Sequence, residues 1–153
     1  MRTINLILTF VIIALSTSCK KGEKEIERDH IVKFLDTFSV NDSTKWVVIL
    51  PGLGCHGCIQ EGEVFMMDNI DNKDIFFALT KIESLKILQQ KIGIKLRGRS
   101  NVYIDPKESF KIPTNSIYPC VVYLDGGNVK YHEFQSPGNN AFEKLRTEIK
   151  DTE

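Results

Sequence analysis

The sequence predicts an α/β domain: a central mixed sheet flanked by helices, with an extra helix ahead of the first strand. Three features carry this expectation. Trp46-Val47-Val48-Ile49-Leu50 and residues 75–79 are short, continuous apolar runs, as strands buried on both faces require, and parallel sheets bury strands in this way. Each run is followed by a segment of helical length or period, which provides the crossover a parallel pair needs. Finally, Asp125-Gly126-Gly127-Asn128 separates two extended runs, a hairpin signal that adds antiparallel strands to the sheet.

Taken in order, the elements follow from periodicity and punctuation. From Ile26 onward, Ile31, Phe34, Leu35 and Phe38 fall at i, i+3, i+4 and i+7 on one face of an amphipathic helix, which Asn41-Asp42-Ser43 should end. The strand at 46–50 stops at Pro51-Gly52. A helix is expected over 56–70, although Gly62 weakens it by about 1 kcal/mol relative to Ala. Asp71-Asn72-Lys73-Asp74 is a turn, 75–79 a second buried strand, and Leu85, Leu88 and Ile92 mark a helix that Gly93 ends. Residues 95–116 read as irregular, with a short strand at Val102-Tyr103-Ile104 and turns at Asp105-Pro106 and Pro113. Strands at 120–124 and 129–134 flank the hairpin turn, Ser136-Pro137-Gly138 breaks the chain, and Phe142, Leu145 and Ile149 share one side of a last helix. The order is therefore α, then β-α-β-α, then β-β-α, without internal repeats.

Composition sets the outer bounds. A chain of 153 residues has the size of one ordinary domain, and 42% hydrophobic with 26% charged residues is the balance of a globular fold, neither disordered nor multi-span. Twenty Lys plus Arg against twenty Asp plus Glu leave no field to hold a polyanion, so nucleic acid is not an expected partner.

The amino-terminal segment reads as an export signal. Arg2 precedes an apolar run from residue 4 to 15, interrupted only by Asn5 and Thr9, and Ser16-Thr17-Ser18 places small residues before Cys19. About a dozen apolar residues fall short of the ~20 that a spanning helix needs. Small residues ending on a cysteine resemble a bacterial lipobox, in its looser Bacteroidetes-type form because Ser16 stands where Leu is usual. That resemblance implies lipid attachment at Cys19; a plain secretory signal with an incidental Cys19 is the other reading. The expected organisation is residues 1–18 as lipoprotein signal peptide, 19–25 as a lipid-anchored, solvated tether, and 26–153 as the domain. The chain is then expected in the cell envelope, facing the periplasm or the exterior, with the bilayer as a partner through the acyl anchor.

Chemistry concentrates at Cys55-His56-Gly57-Cys58. The motif follows a buried strand and opens a helix, where unpaired N–H groups and the helix dipole stabilise a thiolate at Cys55. At this spacing Cys58 can attack a mixed disulfide formed at Cys55, and a cationic His56 would further favour the thiolate. A purely structural disulfide is the bland alternative in an oxidising compartment. Half of a zinc site is a further one, but Cys120, His30 and His132 lack metal-type spacing, so no metal is expected. Ile59 directly after the second cysteine excludes haem c attachment.

This element order, with Cys-x-x-Cys after the first core strand, resembles the thioredoxin-like fold, and more narrowly the TlpA/ResA-like envelope thiol–disulfide oxidoreductases. Glu61 matches the family's Glu three residues after the motif. Tyr103-Ile104-Asp105-Pro106 and Tyr118-Pro119-Cys120-Val121-Val122 echo its later turn and proline-initiated strand. The likeness spans residues 46–150. It implies disulfide exchange with protein substrates and an envelope redox partner, without a cofactor. Cys55 would attack and Cys58 resolve. Glu61 would carry the proton of Cys58, or serve only as an exposed first-turn acid. Pro119 would be a cis-proline that, with the backbone of Tyr118 and with His56 nearby, seats the substrate; a trans bond there is expected to overturn the assignment of that fold, and with it the fold of the binding-module alternative. Three departures stand out: Gly54 where the family has Trp before the first cysteine, Glu63 where it has Pro, and Ile49 where thioredoxin itself has a buried acid. Cys120 reads as a small core residue rather than a third redox partner. The alternative function is a non-catalytic binding module of the same fold with a fixed disulfide.

Overall fold

The computed structural model describes residues 21–152. The expected signal peptide and Cys19 lie outside the described residues. The elements are α1 (Glu23–Leu35), β1 (Trp46–Pro51), α2 (His56–Asn69), β2 (Ile75–Thr80), α3 (Leu85–Ile92), β3 (Val102–Ile104), β4 (Cys120–Asp125), β5 (Asn128–Phe134) and α4 (Ala141–Lys150). No described helix is long and apolar enough to cross a membrane.

Helix α1 departs from expectation at both ends. It begins at Glu23, ahead of the expected start at Ile26, and Glu23 and Glu25 in its first turn suit the positive end of the helix dipole. It stops at Leu35, where the N–H groups of Asp36 and Thr37 close the last turn onto Val32 and Phe34. Phe38 therefore lies past the helix, yet it keeps its place in the core by stacking on Phe76 and Tyr103, with centroids 5.3 and 4.2 Å away.

The five strands form one mixed sheet in the order β3-β2-β1-β4-β5. Strands β1, β2 and β3 run parallel, and β4 is antiparallel to both β1 and β5. Because side chains alternate along a strand, the sheet has two buried faces. Val48, Leu50, Phe77, Leu79, Val121 and Tyr123 pack against α2 and α4. Their neighbours Val47, Ile49, Phe76, Ala78, Cys120 and Val122 pack against Ile31 and Phe34 of α1 and against Phe110 and Ile112. The stretch at 95–116 is thus irregular in backbone but not peripheral. The carboxylate of buried Asp105 accepts from the N–H of Phe110, 3.1 Å, and the hydroxyl of Ser109, 2.8 Å, folding Phe110 inward.

Gly62, expected only to weaken α2, also lets the helix lie close on the sheet, where a side chain would force Leu50 to move. A Cβ there would lie 2.4 Å from Leu50 and 3.2 Å from the Phe142 ring. The topology also places the chemistry. Ile49 pairs with Cys120 across antiparallel strands, so the loop leaving β1 and the loop entering β4 emerge at the same end of the sheet.

Candidate functional site

Cys55 and Cys58 are joined by a disulfide at the amino end of α2, with Cα atoms 5.4 Å apart. Cys55 is the extended N-cap residue, and its carbonyl accepts the N–H of Ile59 at 2.9 Å. Cys58, one turn in, is buried at 6% exposure, whereas Cys55 is half-buried and closer to solvent. When the pair is reduced, the helix terminus favours negative charge on the outer sulfur.

The loop before β4 closes over this turn. The Cys55 N–H donates to the Ile117 carbonyl at 2.9 Å. Gly54 has a φ of 151°, and a Cβ on it would lie 2.2 Å from the Ile117 oxygen. Only glycine fits such an approach. The glycine before the first cysteine is therefore dictated by backbone contact, while Leu53 and Ile117 expose apolar side chains beside it, at 50% and 48%.

One expectation fails at Pro119. The described residues contain no cis peptide bond, so Tyr118–Pro119 is trans. The chain already reverses in the 115–118 turn, with Asn115 at φ 56° and the Tyr118 N–H donating to the Asn115 carbonyl at 3.0 Å. The X–Pro bond then keeps its intrinsic trans preference of about 0.5–1 kcal/mol. Pro119 is buried, and its carbonyl accepts the Gln135 N–H at 2.9 Å. The turn also occupies the N–H of Tyr118, whose backbone is expected to seat the substrate.

Glu61 does lie at the site. With Cys55, Cys58, Gln135 and the 136–140 loop it lines an open cavity of about 490 Å³. Its carboxylate accepts a hydrogen bond from Gln135 Nε2. Gln135 is missing from the sequence reading, and nothing in the local pattern marks it. It is 4% exposed, and its Oε1 accepts the Phe142 N–H at 3.1 Å near the start of α4. His56 is exposed at the first position of α2.

A second polar cluster lies behind the 114–118 loop. Glu27 of α1 is 4% exposed, and its Oε1 accepts from Thr114 Oγ1 at 2.5 Å and Asn115 Nδ2 at 2.8 Å. Its Oε2 is 3.0 Å from His132 Nε2 in β5. Burial alone would raise the Glu27 carboxyl, but the hydrogen bonds from Thr114, His132 and Asn115 outweigh it and hold the group below the ordinary glutamate value. A signal for Glu27 existed, since it falls on the helical stripe of Ile31 and Phe34. Cys120, fully buried on this side of the sheet, has its thiol pushed well up by burial and then by the Glu27 charge. Among the described residues no three His, Cys, Asp or Glu side chains converge as metal ligands.

Comparison with known proteins returns no matching family model, no matching curated protein and no matching solved structure.

Proposed function

We propose that the chain is a lipid-anchored envelope thiol–disulfide oxidoreductase of thioredoxin-like fold, exchanging disulfides with protein substrates through Cys55 and Cys58. The single observation that carries this reading is the Cys55–Cys58 disulfide at a helix amino terminus, with its outer cysteine reachable and an open cavity beside it. The fold assignment rests on the sheet order and the flanking helices alone, since the trans Tyr118–Pro119 bond is the outcome expected to overturn it; exchange between Cys55 and Cys58 does not depend on that bond.

In the reducing direction the Cys55 thiolate attacks a substrate disulfide, forming a Cys55–substrate bond while the other substrate sulfur leaves as thiolate and takes up a proton. Cys58 gives its proton to Glu61 and attacks the Cys55 sulfur. The internal disulfide forms, the second substrate thiolate departs, and two electrons have passed to the substrate. Oxidation is the same sequence reversed.

The test is turnover of a peptide disulfide by the dithiol form. Cys55→Ser should abolish exchange, and Cys58→Ser should accumulate the mixed disulfide. The alternative, a binding module with a fixed disulfide, draws on the Ile117 and Tyr118 contacts that leave little backbone free beside Cys55. A disulfide that resists dithiothreitol in the folded protein would favour it.

A further inference from the structure

The 114–118 loop is held from three directions. Thr114 and Asn115 donate to Glu27 in α1, the Ser116 carbonyl accepts from Lys81 Nζ at 3.2 Å, and the Ile117 carbonyl accepts from the Cys55 N–H. Glu27 differs from the other two partners because it is buried and charged, and an ionised carboxylate can only accept. His132 Nε2 must therefore carry the hydrogen at their 3.0 Å contact, which leaves Oε1 to Thr114 and Asn115. Such an ion is retained at a buried place only where every contact is satisfied, and here each contact orients the loop.

We infer that Glu27 is a positioning residue for Cys55, acting through the 114–118 loop whose Ile117 carbonyl it holds against the Cys55 N–H. The inference rests on the redox reading for its meaning, but not for its geometry. Helix α1, which precedes the first strand of the sheet, thereby sets the wall of the thiol site. The approach is close enough that only a glycine at 54 fits between, so a small loop shift moves the Ile117 carbonyl off Cys55.

The experiment is residue-resolved amide hydrogen exchange on the dithiol and disulfide forms of wild type, Glu27→Ala, Glu27→Gln and Thr114→Val. Losing a buried charge-assisted acceptor should speed exchange at Cys55 and Tyr118 by about tenfold or more in Glu27→Ala. Val48 and Phe77 in the central strands should change by less than about twofold, because they open only with the whole domain. Glu27→Gln keeps an oxygen for Thr114 and Asn115 and should restore most of the protection. Thr114→Val removes one donor without touching α1 and should show a smaller change of the same pattern, which keeps the test open if Glu27→Ala does not fold. Uniform acceleration at all four amides, or unchanged Cys55 exchange in a folded variant, would overturn the positioning role. Turnover of a peptide disulfide is measured alongside. Inert wild type with the local exchange pattern intact removes the oxidoreductase reading and leaves the clamp standing.

Discussion

Gln135 donates its side-chain amide to the carboxylate of Glu61, although 74 residues separate them. The same side chain accepts the Phe142 N–H, so one buried amide both orients a carboxylate at the disulfide cavity and satisfies a backbone donor in the first turn of α4. The proton acceptor proposed for Cys58 is thus held by the residue that directly follows β5.

Gln135→Leu should keep the side-chain volume and lose both bonds. Leaving the Phe142 N–H unpaired costs about 1–3 kcal/mol, read as a lower denaturant midpoint at unchanged m-value. In the dithiol form, resolution of the mixed disulfide should slow as well, since Glu61 loses its orienting donor. Loss of stability with an unchanged resolution rate would separate Gln135 from the chemistry.

Gly54→Ala should be more damaging at the site than an ordinary surface change. The new Cβ meets backbone oxygen rather than a flexible side chain, at a φ that disfavours alanine. Strain of this kind is worth about 1–3 kcal/mol. The expected outcome is a destabilised protein in which Cys55 reacts at an altered rate; wild-type stability would mean that the Ile117 approach is not tight in solution.

Alkylation of the reduced protein should proceed in the order Cys55, then Cys58, with Cys120 silent until unfolding. Cys55 is half-buried at the helix terminus, Cys58 is 6% exposed, and Cys120 is fully buried. Cys55 should show an apparent pKa below the free-thiol value near ~8.5. Mass mapping of labelled peptides against time checks all three, and first reaction at Cys58 would reverse the assigned roles.

Acid should weaken the Glu27 cluster. Its carboxyl lies lower in the folded protein than its ordinary value of 4.5, so the unfolded chain binds that proton first. Its stabilising contribution is therefore complete above that value and is lost as pH falls through the lowered folded value. The unfolding midpoint should drop over this window in wild type and drop less in Glu27→Gln, where no carboxyl titrates. Parallel acid limbs for the two proteins would show that Glu27 is not depressed.

The order of elements was legible because each depends on neighbours in the chain. Strands buried on both faces must be continuously apolar, so β1 and β2 are readable from composition alone, and the 125–128 turn announces the β4–β5 pairing through its glycines. Cys55 and Cys58 were legible for the same reason: a strand end, a turn and a helix start are local, and the dipole argument needs nothing further.

What the sequence could not determine was every contact made by a polar side chain across the fold. Glu27 meets Thr114, Asn115 and His132 at separations of 87, 88 and 105 residues, and Gln135 meets Glu61 across 74. A buried polar group is stable only when its partners are already in place, and those partners are assembled by the sheet, not by any periodicity. The Tyr118–Pro119 bond belongs to the same class, since whether the chain needs a cis turn depends on how the 115–118 reversal has already brought it to β4. Apolar patterning determined which segments enter the core. The meeting of β1 and β4 at one end of the sheet decided which polar groups surround the disulfide, because it brings the loops beside Cys55, distant in sequence, within hydrogen-bonding reach of one another.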